Sequence, residues 1–114
     1  MIITELDEFR RDLKRLSKKY KSMPQDFDVL RKVLSVRPDA SPPFSYQINN
    51  LGIETCVIKV RKIASKSFKG KGVNSGFRLV YAYFAEEERI VLIELYHKSV
   101  KENENRDRIL KNYS

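Results

Sequence analysis

Residues 76–99 read GFRLVYAYFAEEERIVLIELYHKS, two apolar runs separated by a short acidic segment. β-Branched and aromatic residues dominate both runs, which is typical of strands in a pleated sheet. The pattern predicts strands over Gly76–Phe84 and Arg89–Ser99, joined by a hairpin connection at Ala85–Glu88. Because both runs are apolar at nearly every position, we expect two central strands that are buried on both faces.

Strand alternation predicts which side chains share a face. A further strand is predicted at Cys56–Ala64, where Lys59 and Arg61 lie opposite Ile58 and Val60. In the last strand the same rule places Val91, Ile93 and Leu95 opposite Leu92, Glu94, Tyr96 and Lys98.

Helical periodicity occupies the N-terminal third of the chain. After a short edge strand at Met1–Ile3, apolar residues recur at intervals of three and four: Leu6, Phe9, Leu13, Leu16 and Tyr20. A second helix begins near Pro24 and ends before Pro38. The short link between them predicts an antiparallel helical hairpin.

The remaining segments complete a single α+β domain over residues 1–114. Residues 37–54 are rich in proline and are interpreted as an irregular connection, and Asn103–Tyr113 is predicted as a last helix. The order is β-α-α-β-β-β-α, with the N-terminal helical hairpin packed on a small antiparallel sheet. We expect the other face of the sheet to be partly open, with four cations projecting from it: Lys59, Arg61, Arg78 and Lys98.

Positive charge is concentrated in the middle of the chain. The formal net charge is +8, and residues 37–84 carry eight cations against two acids. No acid occurs from Thr55 to Ala85, where seven cations occur: Lys59, Arg61, Lys62, Lys66, Lys69, Lys71 and Arg78. A fixed positive surface on a sheet indicates a phosphate backbone as partner.

Composition also limits the function classes. One cysteine and one histidine are too few for a zinc cluster, so neither a metal nor a cofactor is expected. No glycine-rich phosphate loop of the nucleotide-binding type is present. Neither a membrane-spanning run nor a signal peptide is predicted, so we expect a cytoplasmic protein with no membrane partner.

Three strand motifs resemble those of the RelE/ParE superfamily of bacterial and archaeal toxins, in particular the RelE- and HigB-like members. They are IKVR at 58–61, SGFRLVY at 75–81 and LYHKS at 95–99, preceded by the F-x-x-x-L-x-x-L pattern of the first helix. The resemblance covers nearly the whole chain in the same order, and the second strand is its most specific part.

The resemblance implies the toxin of a type II toxin–antitoxin pair. RelE-type members cleave mRNA in the ribosomal A site, and ParE-type members act on DNA gyrase. The match implies catalytic roles for Arg78 and Lys59. A second lysine of the RelE pattern falls on Val57 here, so the chain departs from that pattern, and the loop lysines of Ser65–Asn74 are candidates to replace the charge. The implied partners are a ribosome with its mRNA and a small, acidic, partly disordered antitoxin.

Metal-independent RNA cleavage would proceed by attack of the 2′-hydroxyl on the adjacent phosphorus. Arg78 suits stabilisation of the charged transition state, because guanidinium binds two phosphate oxygens at once. Lys59 or Lys98 is a candidate general base, and Tyr96 is a candidate for base stacking or proton donation. The remaining candidates are His97 for catalysis and Arg61, Lys62, Lys66, Lys69 and Lys71 for RNA binding.

Other interpretations of the same residues stay open at this point. Arg78 is also a candidate ion-pair partner of Glu94, and Lys59 and Arg61 are candidates for an ordinary solvated face. Alternation places His97 opposite Tyr96, which favours a structural histidine. The alternative function is a non-nuclease binding module, either a gyrase inhibitor of the ParE type or an inactive toxin homologue.

Overall fold

A computed structural model describes all residues, 1–114, and has the α+β architecture predicted from the sequence. Its elements are β1 (Ile2–Glu5), α1 (Asp7–Lys19), α2 (Met23–Val36), β2 (Ser45–Gln47), β3 (Cys56–Val60), β4 (Phe77–Phe84), β5 (Arg89–His97) and α3 (Arg106–Tyr113). None of the three helices has both the length and the apolar character that a bilayer-spanning segment requires.

The first two helices form as the periodicity predicts. Acidic residues occupy the first turn of α1 and Lys18 and Lys19 its last turn, which complements the helix dipole. Pro24 lies in the first turn of α2. The apolar stripes of both helices pack against one face of the sheet, and Phe9 and Phe27 are fully or almost fully buried there. The two phenyl rings meet at a centroid distance of 5.3 Å.

The sheet has five strands in the order β1-β5-β4-β3-β2. The prediction of a wholly antiparallel sheet is wrong at one edge, because β1 pairs parallel to β5, with Ile2 opposite Arg89. The interpretation of residues 37–54 as an irregular connection is wrong for three residues, since β2 lies within them and pairs with β3. β3 is shorter than predicted and ends at Val60.

A β-bulge changes the side-chain faces along β5. Val80 pairs with Glu94, but the next residue, Tyr81, pairs with Leu92, so Ile93 is an extra residue. Leu92 and Leu95 consequently pack in the same helix-side core, although simple alternation predicts opposite faces. Ile93 packs with Val80 on the other face.

That other face, expected to be partly open, is covered over most of its area. The buried Ile109 of α3 packs against Val80 and Ile93, and residues Ile48 and Leu51 of the connection add to this second core. β4 and β5 are therefore buried on both faces, as their continuous apolar character predicts. Only one end of this face is left to solvent.

Asp12 of α1 links the helices to the far end of β5. Its buried carboxylate accepts hydrogen bonds from the backbone N–H of Leu95 at 3.2 Å and from Nη1 of Arg108 in α3 at 2.7 Å. Leu95 lies beyond the end of the pairing with β1, so its N–H has no strand partner on that side. One carboxylate thus satisfies the backbone N–H of Leu95 and also anchors α3 through Arg108.

Candidate phosphate-binding site

Three cations meet at the open end of the sheet. Arg61 directly follows β3, Arg78 is the second residue of β4, and Lys98 directly follows β5. Because β4 runs antiparallel to both neighbours, the C-terminal ends of β3 and β5 lie beside the N-terminal end of β4, at the same end of the sheet. The topology therefore gathers residues that are far apart in sequence.

These three side chains line two adjoining cavities, which together are called the basic cleft below. One cavity has a volume of about 470 Å³ and is lined by Pro43, Tyr46, Arg61, Lys62, Asn74, Gly76, Arg78 and Lys98. The other has a volume of about 590 Å³ and is lined by Lys59, Arg61, Arg78, Lys98, Glu102 and Asn103. Arg61, Arg78 and Lys98 belong to both.

Arg78 has no carboxylate partner. Its Nη1 donates to the backbone oxygens of Arg61 at 3.2 Å and Phe77 at 3.1 Å, which fix the guanidinium at the rim of the sheet. Burial and then the charge of Arg61 lower the pKa of Arg78 from its usual value. The ion pair with Glu94 that the sequence leaves open is absent, since Glu94 accepts from Lys101 and from the backbone N–H of Asn105.

Lys59 borders the cleft but is already paired. Its Nζ donates to Oε1 of Glu104 at 3.1 Å, and the two side chains are only 16% and 8% exposed. Burial alone would raise the pKa of Glu104. Hydrogen bonds from its own backbone amide and from Lys59, with the charges of Lys59 and Arg106, lower that pKa below 4.5. The catalytic lysine implied by the resemblance is neutralised within the chain.

Tyr96 lies beneath the cleft and does not line it. It pairs with Arg78 across the strands, but its side chain is buried and its hydroxyl has no hydrogen-bond partner. The Nζ atoms of Lys59 and Lys101 are 6.0 Å and 4.9 Å from the ring centroid. Burial and the nearby carboxylates Glu104 and Glu94 raise the pKa of Tyr96, so the phenol stays protonated.

His97 lies on the helix side of the sheet. The backbone N–H of Ser99 donates to Nδ1 at 3.1 Å, which leaves the proton on Nε2, and Nε2 donates to the backbone oxygen of Ser75 at 2.8 Å. The ring stacks on Phe68 at a centroid distance of 4.9 Å and meets Phe77 edge-on. Both nitrogens are used internally, and neither faces the basic cleft.

The five predicted RNA-binding cations divide into two groups. Arg61 and Lys62 line the cleft, where Lys62 donates to Oδ1 of Asn74 at 2.8 Å. The three loop lysines are not brought to it. Lys66 and Lys69 line a separate cavity beside α2, and Lys71 lines neither part of the cleft.

Sequence reasoning missed Tyr46 and Asn74, which both line the cleft. Tyr46 is in β2, a strand hidden in a proline-rich segment. The alternation of Phe44, Tyr46 and Ile48 is the signal of strand period that was available in the sequence. It also missed Glu104, whose role depends on where α3 folds back.

The chain was also compared with known proteins. No protein-family model matches it, and no curated protein matches it. Functional inference therefore depends on the cleft and on the strand motifs.

Proposed function

We propose that the chain is a RelE-like toxin of the RelE/ParE superfamily, a cytoplasmic, metal-independent endoribonuclease that cleaves mRNA on the ribosome. The observation that carries the proposal is the convergence of Arg61, Arg78 and Lys98, none of which has a carboxylate partner, on a cleft of nucleotide size. The cleft is lined by Arg61, Arg78, Lys98 and Lys62 against a single acid without a partner, Glu102. A concave site with such an excess of positive charge attracts and holds a phosphodiester.

The proposed chemistry is transesterification within the RNA. The 2′-oxygen attacks the adjacent phosphorus, the bond to the 5′-oxygen breaks, and a 2′,3′-cyclic phosphate forms. Arg78 and Arg61 stabilise the negative charge that develops on the non-bridging oxygens. Lys98 is the proposed acid–base residue, since it is exposed and unpaired in the cleft. It takes the 2′ proton when it is neutral and donates to the leaving oxygen when it is charged.

The partners follow from the same proposal. The mRNA would be presented by the ribosome, which supplies the single-stranded substrate. A small acidic antitoxin, partly disordered before binding, would neutralise the basic cleft by charge complementarity.

Substitution of Arg78 tests the proposal. After induced expression in cells, mRNA 5′ ends are mapped by primer extension for the parent chain, for Arg78→Ala and for the matched control Arg11→Ala. Arg11 is exposed on α1 and makes no ion pair, so this control removes the same charge away from the cleft. We expect Arg78→Ala to lower cleavage at least about a hundredfold and Arg11→Ala to leave it unchanged. Unreduced cleavage by a folded Arg78→Ala protein would contradict the proposal.

One observation favours a second candidate, a binding module without nuclease activity, such as a gyrase inhibitor of the ParE type or an inactive homologue. Lys59 is paired with Glu104, and Tyr96 and His97 are buried. Of the four predicted acid–base residues, only Lys98 remains free in the cleft. DNA damage with intact mRNA after induction would support a gyrase inhibitor, and cleaved mRNA would support the nuclease.

A further inference from the structure

Tyr46 is the only aromatic residue that lines the basic cleft. It lies in the middle of β2, directly opposite Lys59 of β3, and its side chain shares the face from which the cations project. It is 41% exposed, whereas its neighbours Phe44 and Ile48 pack against the two cores. The two neighbours fix the strand, and the ring of Tyr46 is left to solvent.

A single exposed aromatic is common on protein surfaces and carries no argument by itself. The setting of Tyr46 is what matters, because its exposed ring shares one cavity with Arg61 and Arg78. Phosphate-binding cations beside an exposed aromatic on a sheet are the combination used to hold single-stranded nucleic acid, where the ring stacks on a base.

The strand register gives the spacing. Tyr46 is opposite Lys59, which is opposite Val80, so about 10 Å separates the backbone at Tyr46 from β4. Arg78 is two residues before Val80 and projects from the same face. The side chains of Tyr46 and Arg78 line the same cavity.

We propose that Tyr46 is the stacking platform for an unpaired nucleobase whose neighbouring phosphate is bound by Arg61 and Arg78. The inference rests on the proposed function and specifies its substrate as single-stranded RNA with a splayed base. Asn74 lies in the same cavity, where its Oδ1 accepts from Lys62 and its amide N–H₂ donates to no protein acceptor. This amide is placed to donate to an acceptor on the edge of the stacked base. Tyr96, which sequence alone suggests for stacking, is buried and cannot take this role.

The chain contains no tryptophan, so the variant Tyr46→Trp introduces a single fluorescent reporter at the proposed platform. It is titrated at low salt with a short 2′-O-methylated oligoribonucleotide, which cannot be cleaved, and with an abasic oligomer that has the same number of phosphates. We expect quenching by the first and none by the second. Binding of the first oligomer by the tyrosine variants is measured by anisotropy. We expect Tyr46→Ala to bind it about fivefold to a hundredfold more weakly than the parent, and Tyr46→Phe to retain affinity within about twofold.

Arg78→Ala distinguishes failure of the base subsite from failure of the proposed function. If Arg78→Ala loses binding but Tyr46→Ala does not, the base subsite is wrong and the phosphate site stands. If Tyr46→Ala loses binding but Arg78→Ala does not, the subsite stands and the assignment of Arg78 fails. Equal quenching by the abasic oligomer, or no binding of either oligomer by the parent chain, overturns the subsite.

Discussion

Substitution of Gly76 by alanine is the sharpest test of how His97 is held. Gly76 has a φ of +96°, and a β-carbon there would lie 2.6 Å from Nε2 and 2.9 Å from Cε1 of His97. Backbone strain alone costs about 1–2 kcal/mol. Displacement of the ring breaks the hydrogen bond to Ser75, worth about 1 kcal/mol, and disturbs the stack on Phe68, worth about 0.5–1 kcal/mol. The expected loss is about 3 kcal/mol, or about 10 °C in Tm.

Gly70→Ala is the matched control. Gly70 also has a positive φ, +78°, but a β-carbon there would meet no atom within 4 Å. This variant therefore reports backbone strain without the clash. Thermal and urea unfolding followed by circular dichroism should give a loss of about 1–2 kcal/mol for Gly70→Ala and a clearly larger one for Gly76→Ala. In the double variant Gly76→Ala/His97→Ala, the two losses should be less than additive. Equal losses for the two glycine variants would refute the structural role of His97.

Three further outcomes are expected. Asp12→Ala should lower the free energy of unfolding by about 3 kcal/mol in urea titration, because it removes the shortest ion pair of Arg108, leaving Glu8 at 3.5 Å, and the acceptor of the Leu95 N–H; a loss below about 1 kcal/mol would contradict this. The pKa of Glu104 is lowered in the folded chain, so the pair with Lys59 stabilises fully above the unfolded value of about 4.5 and is lost as pH falls through the folded value. Glu104→Gln should therefore lose less stability than the parent between pH 5 and pH 3; parallel pH curves would show otherwise. Tyr96→Phe removes a buried hydroxyl that has no partner, so stability should rise by about 1 kcal/mol in thermal unfolding; if the hydroxyl instead donates a proton in catalysis, the same change will lower mRNA cleavage.

The elements of the fold were predictable where local pattern decides them. The stripes of α1 and α2 and the apolar runs of β4 and β5 are properties of neighbouring residues, and the structure has these elements near the predicted positions. Pairing that depends on distant segments was not predictable. Nothing near Ile2 in the sequence indicates that β1 will lie parallel to β5.

Side-chain direction was predictable only up to the first irregularity. The bulge at Ile93 shifts the alternation by one residue, so that Leu95 returns to the helix side with Leu92. Beyond the bulge, Tyr96 and His97 still lie on opposite faces, as alternation predicts. A bulge depends on the fit between two strands, and one strand's sequence does not contain it.

The sequence was enough to predict that cations gather on this face, but not which of them reach the cleft or are paired with an acid. Alternation along the predicted strands was enough to place Arg61, Arg78 and Lys98 on one face of the sheet. The loop lysines were expected to join them, but the loop packs through Phe68 against Tyr20 and Phe77 and lies away from the cleft. An apolar contact, which charge counting does not register, decides where those lysines lie.

The C-terminal segment selects which cations of the acid-free run remain available. That run has no acid of its own, but the chain returns across the sheet and brings Glu104 to Lys59. Glu94, the carboxylate on the strand beside Arg78, is meanwhile occupied by Lys101 and the backbone of Asn105. Because Lys59 is paired and Glu94 is occupied, the positive charge that remains unpaired is concentrated at the open end of the sheet. A phosphate that enters the cleft therefore meets the guanidinium of Arg78, which is held by backbone oxygens and need not release a carboxylate before it binds the phosphate.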